Sequence, residues 1–269
     1  RGSYTFTGAF DNSSYSCCTA SSGFQNPRVG VYGPNEVGGF GDADRAWGRS
    51  AFARRHTFIF SGFTGLPLGF QLGALWRLQS GRPYTPEVQG DLNGDGVNFN
   101  DRPFIFRPED LPLPTNLTAE QATATRERYA GILADNACIG NYVGQIIPRN
   151  TCETPWRNQL DLRVTRAFPT VNQQRAELQV DLFNVLNGLG RIIDCNDDDM
   201  RAAIRTGEAL PGTCGWGRLT TVSGANRNLL TNPTFSDGQI RYGVSPNFGK
   251  ESVVGSNLQL QFQAQVALR

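Results

Sequence analysis

Connection length is the feature that most constrains this chain. Six segments alternate apolar and polar residues with period two: Gly2 to Phe10, His56 to Phe63, Leu68 to Ser80, Trp156 to Phe168, Gln174 to Leu186 and Asn257 to Arg269. The connections between them run long, short, long, short, long. They are residues 11–55, Thr64-Gly65-Leu66-Pro67, residues 81–155, Pro169-Thr170-Val171-Asn172-Gln173 and residues 187–256. Such a meander puts every long connection at one end of the sheet and every short turn at the other. Most connections in compact domains are about 4–6 residues, so soluble sandwiches seldom segregate loop length this strictly. Membrane barrels of bacterial outer membranes do, with short periplasmic turns, long extracellular loops and strands of about 9–11 residues. The pattern predicts an all-β fold: an antiparallel, up-and-down transmembrane β-barrel segment of six strands.

The two faces of each strand agree with this. In the last segment Leu258, Leu260, Phe262, Ala264, Val266 and Leu268 share one face and Gln259, Gln261, Gln263 and Gln265 the other. Leu160, Leu162 and Val164 oppose Gln159, Asp161 and Arg163, while Ala176, Leu178, Val180 and Leu182 oppose Glu177, Gln179 and Asp181. Trp156 and Phe168 bracket the apolar face of the fourth segment, twelve residues apart. At about 3.3 Å per residue that is roughly 40 Å along the strand. Tilted by about 40°, it is roughly 30 Å along a barrel axis, near the spacing of two aromatic girdles around a band about 25 Å tall. The competing reading is that the two aromatics cap a sandwich core.

Composition narrows the function. Charged residues are 18% of the chain, against about 25% in typical soluble domains. A net charge of +1 offers no basic face for nucleic acid. The single histidine, His56, reads as an ordinary strand residue. No nucleophile–base pair, phosphate loop or dinucleotide fingerprint is present, so no enzyme is expected. No apolar run reaches the roughly 18 residues of a transmembrane helix. Arg1 opens directly onto the strand-like Tyr4-Thr5-Phe6, with no leader, and reads as the start of a piece of a longer chain.

The succession of local segments is distinctive: Ser3-Tyr4-Thr5-Phe6-Thr7-Gly8, Arg54-Arg55-His56-Thr57-Phe58-Ile59-Phe60-Ser61-Gly62, and Trp76-Arg77-Leu78-Gln79-Ser80-Gly81-Arg82-Pro83-Tyr84-Thr85. Asp91-Leu92-Asn93-Gly94-Asp95-Gly96 and Asn100-Asp101-Arg102-Pro103 follow. Leu160-Asp161-Leu162-Arg163-Val164-Thr165-Arg166 then precedes Glu177-Leu178-Gln179-Val180-Asp181-Leu182-Phe183-Asn184-Val185-Leu186-Asn187. This order resembles the C-terminal end of TonB-dependent outer-membrane receptors, especially the Oar-like group with an upstream carboxypeptidase-regulatory-like domain. The resemblance spans all six strands. It implies that residues 1–269 are the C-terminal part of such a barrel, in a bacterial outer membrane, with the plug domain and TonB box outside this chain. Large transporters of this kind have 22 strands around a plugged lumen. The implied partners are outer-membrane lipid, the protein's own N-terminal plug and remaining barrel strands, and the TonB complex. The implied activity is energised uptake of a bulky, scarce solute of the siderophore, glycan, peptide or cobalamin class. The chain departs from the family in ending on Leu268-Arg269, where such barrels usually end on an aromatic residue. A secreted, calcium-stabilised β-rich adhesin and a passive porin are the rival readings.

In a barrel Arg77, Asp161, Arg163, Glu177, Gln179 and Asp181 line the lumen, where they contact solute or plug; alternatively they pair with one another across neighbouring strands. No cofactor is required. Asp91, Asn93, Asp95 and Asn98, with Asp101, place oxygen ligands at the alternating positions of a Ca2+ loop, although Arg102 stands where the bidentate Glu belongs. A run of Asx turns is the alternative for that segment. The six cysteines fall only in the long connections, as suits an oxidising exterior. Cys138 with Cys152 and Cys195 with Cys214 are the expected local disulfides. Adjacent Cys17 and Cys18 form either a strained vicinal bond or bonds elsewhere. Thr118-x-x-Gln121 is a capping box that opens a helix to about Leu133, and Asp197, Asp198 and Asp199 mark the start of a second.

Overall fold

The computed structural model describes residues 1–11, 47–90, 92, 101–169, 175–186, 189, 220–222, 224–250, 252–253 and 259–267. Its main element is a six-stranded sheet: β1 (Gly2–Phe6), β2 (His56–Gly65), β3 (Phe70–Gln79), β4 (Arg157–Pro169), β5 (Arg175–Phe183) and β6 (Gln259–Ala267). Strand order in the sheet follows chain order, and every neighbouring pair is antiparallel. The up-and-down meander expected from connection lengths is therefore the fold. Among the described residues no helix is long and apolar enough to cross a membrane, which says nothing of strands.

Register explains why one face is apolar. Residues directly opposite share a face. The rows run Tyr4–Phe58–Leu78–Asn158, Phe60–Trp76–Leu160, Ala74–Leu162–Leu182–Leu260 and Leu72–Val164–Val180–Phe262. A slip of one residue in any pair would interleave these rows with glutamines and aspartates. Strand ends differ by a few residues from the sequence pattern, for local reasons. β2 continues to Gly65, and the tight turn is residues 66–69, closed by Leu66 N donating to Phe70 O (2.8 Å). β5 stops at Phe183 because Asn184 takes a left-handed φ of 55°. β1 stops at Phe6, and Phe10–Asp11 instead pairs with Gly48–Arg49.

Among the described residues the sheet carries no buried apolar core. Leu260 and Phe262 are exposed, so the apolar face does not close on itself as a sandwich would. The buried core lies in the connections at the loop end. Tyr84, Val88, Ile105, Leu111, Tyr129, Leu133, Ile139 and Ile147 from residues 80–156 pack with Val222, Leu229, Leu230, Tyr242, Val244 and Phe248. Helix α1 (Ala119–Asp135) begins on the expected capping box: Gln121 N donates to Thr118 Oγ1 (3.2 Å) and Thr118 N to Gln121 Oε1 (3.0 Å). α1 buries Tyr129 and Leu133, and Tyr129 Oη accepts from Phe106 N (3.1 Å). A short helix α2 (Ala137–Gly140) follows, and Cys138 is bonded to Cys152 with a Cα–Cα distance of 5.1 Å. That pairing was legible in the sequence. Cys17, Cys18, Cys195 and Cys214 and the second expected helix lie outside the described residues.

A hairpin not anticipated from the sequence completes this unit: Asn228–Ser236 pairs with Gln239–Val244 across Asp237-Gly238. Both turn residues have positive φ (53° and 74°), the Asp-Gly signature of a tight hairpin turn. Its first strand also pairs in parallel with Glu87–Val88, joining the second and third long connections.

Candidate functional site on the polar face

The polar face carries the charged chemistry. Arg77, Asp161, Arg163, Glu177, Gln179 and Asp181 all lie on it, as the pattern predicts. Asp181 stands directly opposite Arg163, so register alone builds their ion pair, with Arg163 Nε donating to Oδ1 at 2.6 Å. Gln179 Nε2 donates to Asp181 Oδ2 (2.6 Å), which leaves the carboxylate buried while the guanidinium stays exposed. A second chain runs along β4: Arg157 Nη2 donates to Gln159 Oε1 (2.8 Å), and Gln159 Nε2 donates to Asp161 (3.2 Å). Asn184 N also donates to Asp161 Oδ1 (2.9 Å), tying the end of β5 to β4.

Arg77, Asp161, Arg163 and Asp181 come together in one open groove of roughly 800 Å³, with Phe63, Leu75 and Phe183 among its other walls. Glu177, opposite Ala167 and Gln265, is exposed and outside that lining. The apolar groove residues were missed in the sequence, although Ala74-Leu75-Trp76 interrupts strict alternation and marks an apolar side chain on the polar face. The groove thus mixes fixed charges with aromatic surface, which suits binding or guiding a solute.

The apolar face is finished at both ends. At the loop end His56 stacks on Trp156 (6.1 Å) and on Tyr4 (6.1 Å), and Tyr4 Oη lies 2.9 Å from His56 Nδ1. His56 is thus part of an aromatic belt as well as a strand residue. At the turn end the Arg166 guanidinium lies over Phe70 (4.7 Å) and Phe168 (4.8 Å). The polar Asn158 between them accepts from Trp76 Nε1 (2.6 Å), so it presents a satisfied amide oxygen. Polar groups on this face sit near its ends or are paired, as a lipid-facing surface requires.

The rim joins sheet to loops through the segment Ser80–Thr85. Ser80 N donates to His56 O (2.8 Å), and Ser80 Oγ accepts from His56 N (3.1 Å). Gly81 packs against residue 154 so closely that a Cβ would lie 1.6 Å from Thr154 O, so only glycine fits. Pro83–Tyr84 pairs with Cys152–Glu153, and Thr85 Oγ1 donates to Asn150 Oδ1 (3.1 Å). Arg49 bonds Glu153 and donates to Asn150 O and Thr151 O, which pins the first long connection to the same joint.

Of the expected Ca2+ ligands, Asp91, Asn93, Asp95 and Asn98 lie outside the described residues. Asp101 is buried; its Oδ2 accepts from Leu92 N (2.7 Å) and its carbonyl from Val88 N (2.9 Å). Deeper in the loop core, burial pushes the Glu87 carboxyl well above the usual carboxylate range, with Arg227 opposing part of the shift.

A family model described as an outer membrane beta barrel domain matches residues 1–189 of the chain. The match covers β1 to β5, and β6 extends the same apolar rows beyond it. No curated protein and no solved structure matches the chain.

Proposed function

We propose that this chain, which belongs to the outer membrane beta barrel domain family, is barrel wall of a TonB-dependent receptor that takes up a bulky, scarce solute. The siderophore, glycan, peptide and cobalamin classes all suit such a wall. The observation that carries the reading beyond a bare barrel is the rim. The segments whose order resembles that receptor family, 80–85, 101–103 and 183–186, tie the long connections to the strand ends and to the loop core.

The geometry supports a lumen behind the polar face and lipid against the apolar one. Among the described residues the outer edges of β1 and β6 are unpaired. Backbone groups cannot stay unpaired in hydrocarbon, so further strands must complete the wall. The groove around Arg77, Asp161, Arg163 and Asp181 is then the surface for plug or solute, and the loop-borne core faces the cell exterior. The Asp91–Asp101 segment is a Ca2+ site that stiffens this exterior unit, checked by calorimetric titration with millimolar calcium.

The test is uptake by cells carrying the full-length protein, with and without a functional TonB complex. Solute accumulation that collapses without TonB is the expected result. Accumulation indifferent to TonB would make the protein a passive porin, and release from cells without detergent would make it a surface adhesin.

A further inference from the structure

Positive charge converges at the loop end of the polar face. Arg54 precedes β2, Arg82 follows β3 and Arg157 opens β4. Strand register places the three residues at neighbouring strand ends, with Thr57 opposite Gln79 and Gln79 opposite Arg157. Arg54 Nη1 donates to Ser80 O (2.7 Å), two residues from Arg82. Arg82 exchanges hydrogen bonds with Thr154, its N donating to Thr154 Oγ1 (2.8 Å) and its carbonyl accepting from Thr154 N (2.9 Å). Arg157 follows three residues later and stands opposite Gln79.

Four arginines of the structure meet carboxylates: Arg49 with Glu153, Arg149 with Asp11, Arg163 with Asp181 and Arg241 with Asp237. Among the described residues none of Arg54, Arg82 and Arg157 forms an ion pair. Their closeness has a cost that falls on the most constrained member: burial, then the like charges of Arg82 and Arg157, lower Arg54 to about 10. Each guanidinium carries five N–H donors; Ser80 O takes one from Arg54 and Gln159 Oε1 one from Arg157. The Arg82 side chain is exposed. Arg157 reaches along the polar face to Gln159, away from the Trp156 belt. Arg77, opposite Gln159, carries the next positive charge toward the groove.

We propose that Arg54, Arg82 and Arg157 form a capture site for a soluble oxyanion, a phosphate- or carboxylate-bearing solute, at the mouth of the polar face. The site rests on the reading of that face as a lumen. Planar guanidiniums match two oxygens of such a group at once, and an anion between them removes their mutual repulsion. Arg54 is the fixed member, Arg82 the free arm, and Arg157 the member that hands the anion toward Arg77. The same chemistry would also suit a lipopolysaccharide phosphate, but the Arg157 bond to Gln159 turns that charge to the polar side.

The experiment is a calorimetric titration of pyrophosphate into the full-length protein in detergent at low salt. Saturable binding is expected, weakened at least tenfold in the R82Q/R157Q double variant and partly restored by R82K/R157K. The R128Q variant, on the exposed side of α1, should bind as wild type. Absence of binding at millimolar pyrophosphate, or equal binding in R82Q/R157Q, would overturn the site. So would loss of co-purifying lipopolysaccharide in R82Q/R157Q without any pyrophosphate effect, since the source would then be lipid. Insertion into liposomes is scored separately. Triad-dependent pyrophosphate binding by a protein that fails to insert supports the anion site while removing the lumen reading.

Discussion

The sheet and the loop-borne unit use the same residue types in opposite ways. Phe262 in β6 is 72% exposed, whereas Tyr129 in α1 is 0% exposed. In the sheet, aromatic and aliphatic side chains line up in rows on a face that no other described part of the chain covers. In the loop unit they converge from segments more than a hundred residues apart and exclude water. The difference teaches where each part finds its stability. The loop unit folds by the hydrophobic effect, like a small soluble domain. The sheet satisfies its backbone through strand pairing and leaves its apolar face to lipid. Ser80–Thr85 is the seam between the two regimes.

The largest expected effect comes from breaking that seam. Gly81→Ala places a methyl where Thr154 O already sits, and should cost about 4 kcal/mol or more, the range reserved for severe core disruption. Protease resistance of residues 80–156 should fall sharply while the strands remain paired; an unchanged digestion pattern would mean the seam is not needed. Next is a pure loop-core lesion. Leu230→Ala should destabilise by about 2–5 kcal/mol, seen as lower thermal stability of the loop unit with membrane insertion intact. The mirror experiment belongs to the sheet. Phe262→Arg should cost about 2–4 kcal/mol if the residue lies near the bilayer midplane, measured by unfolding from liposomes. If instead this variant unfolds the loop unit and leaves insertion unchanged, the contrast between the two regions fails.

The smallest effect is a pH dependence confined to the loop unit. Burial favours the neutral form of the Glu87 carboxyl, so its folded value lies above the ordinary 4.5. Between those two values the folded state binds more proton than the unfolded state. Stability of the loop unit therefore declines as pH rises from about 4.5 toward the raised value. Glu87→Gln keeps a neutral side chain and should flatten that decline, followed by thermal melts across the pH series. A slope that survives the substitution would assign the dependence to another group.

Local pattern was enough to read the wall. Period-two alternation placed all six strands, their lipid-facing rows and the six polar-face residues, because in a sheet the facing of each side chain follows from its position alone. The Thr118–Gln121 box and the Cys138–Cys152 bond were legible for the same reason: each depends on residues near in sequence. The Asp237-Gly238 hairpin carried a local signal too, but Asn232 and Pro233 interrupt its first strand with a register shift and hide the alternation. What only the tertiary structure decided is non-local. The parallel pairing of Glu87–Val88 with Asn228–Leu230, the shared core of two long connections, and the Arg54 bond to Ser80 O all join distant residues. Such contacts depend on which loop closures the whole chain can afford together, and no short window of sequence records that entropy.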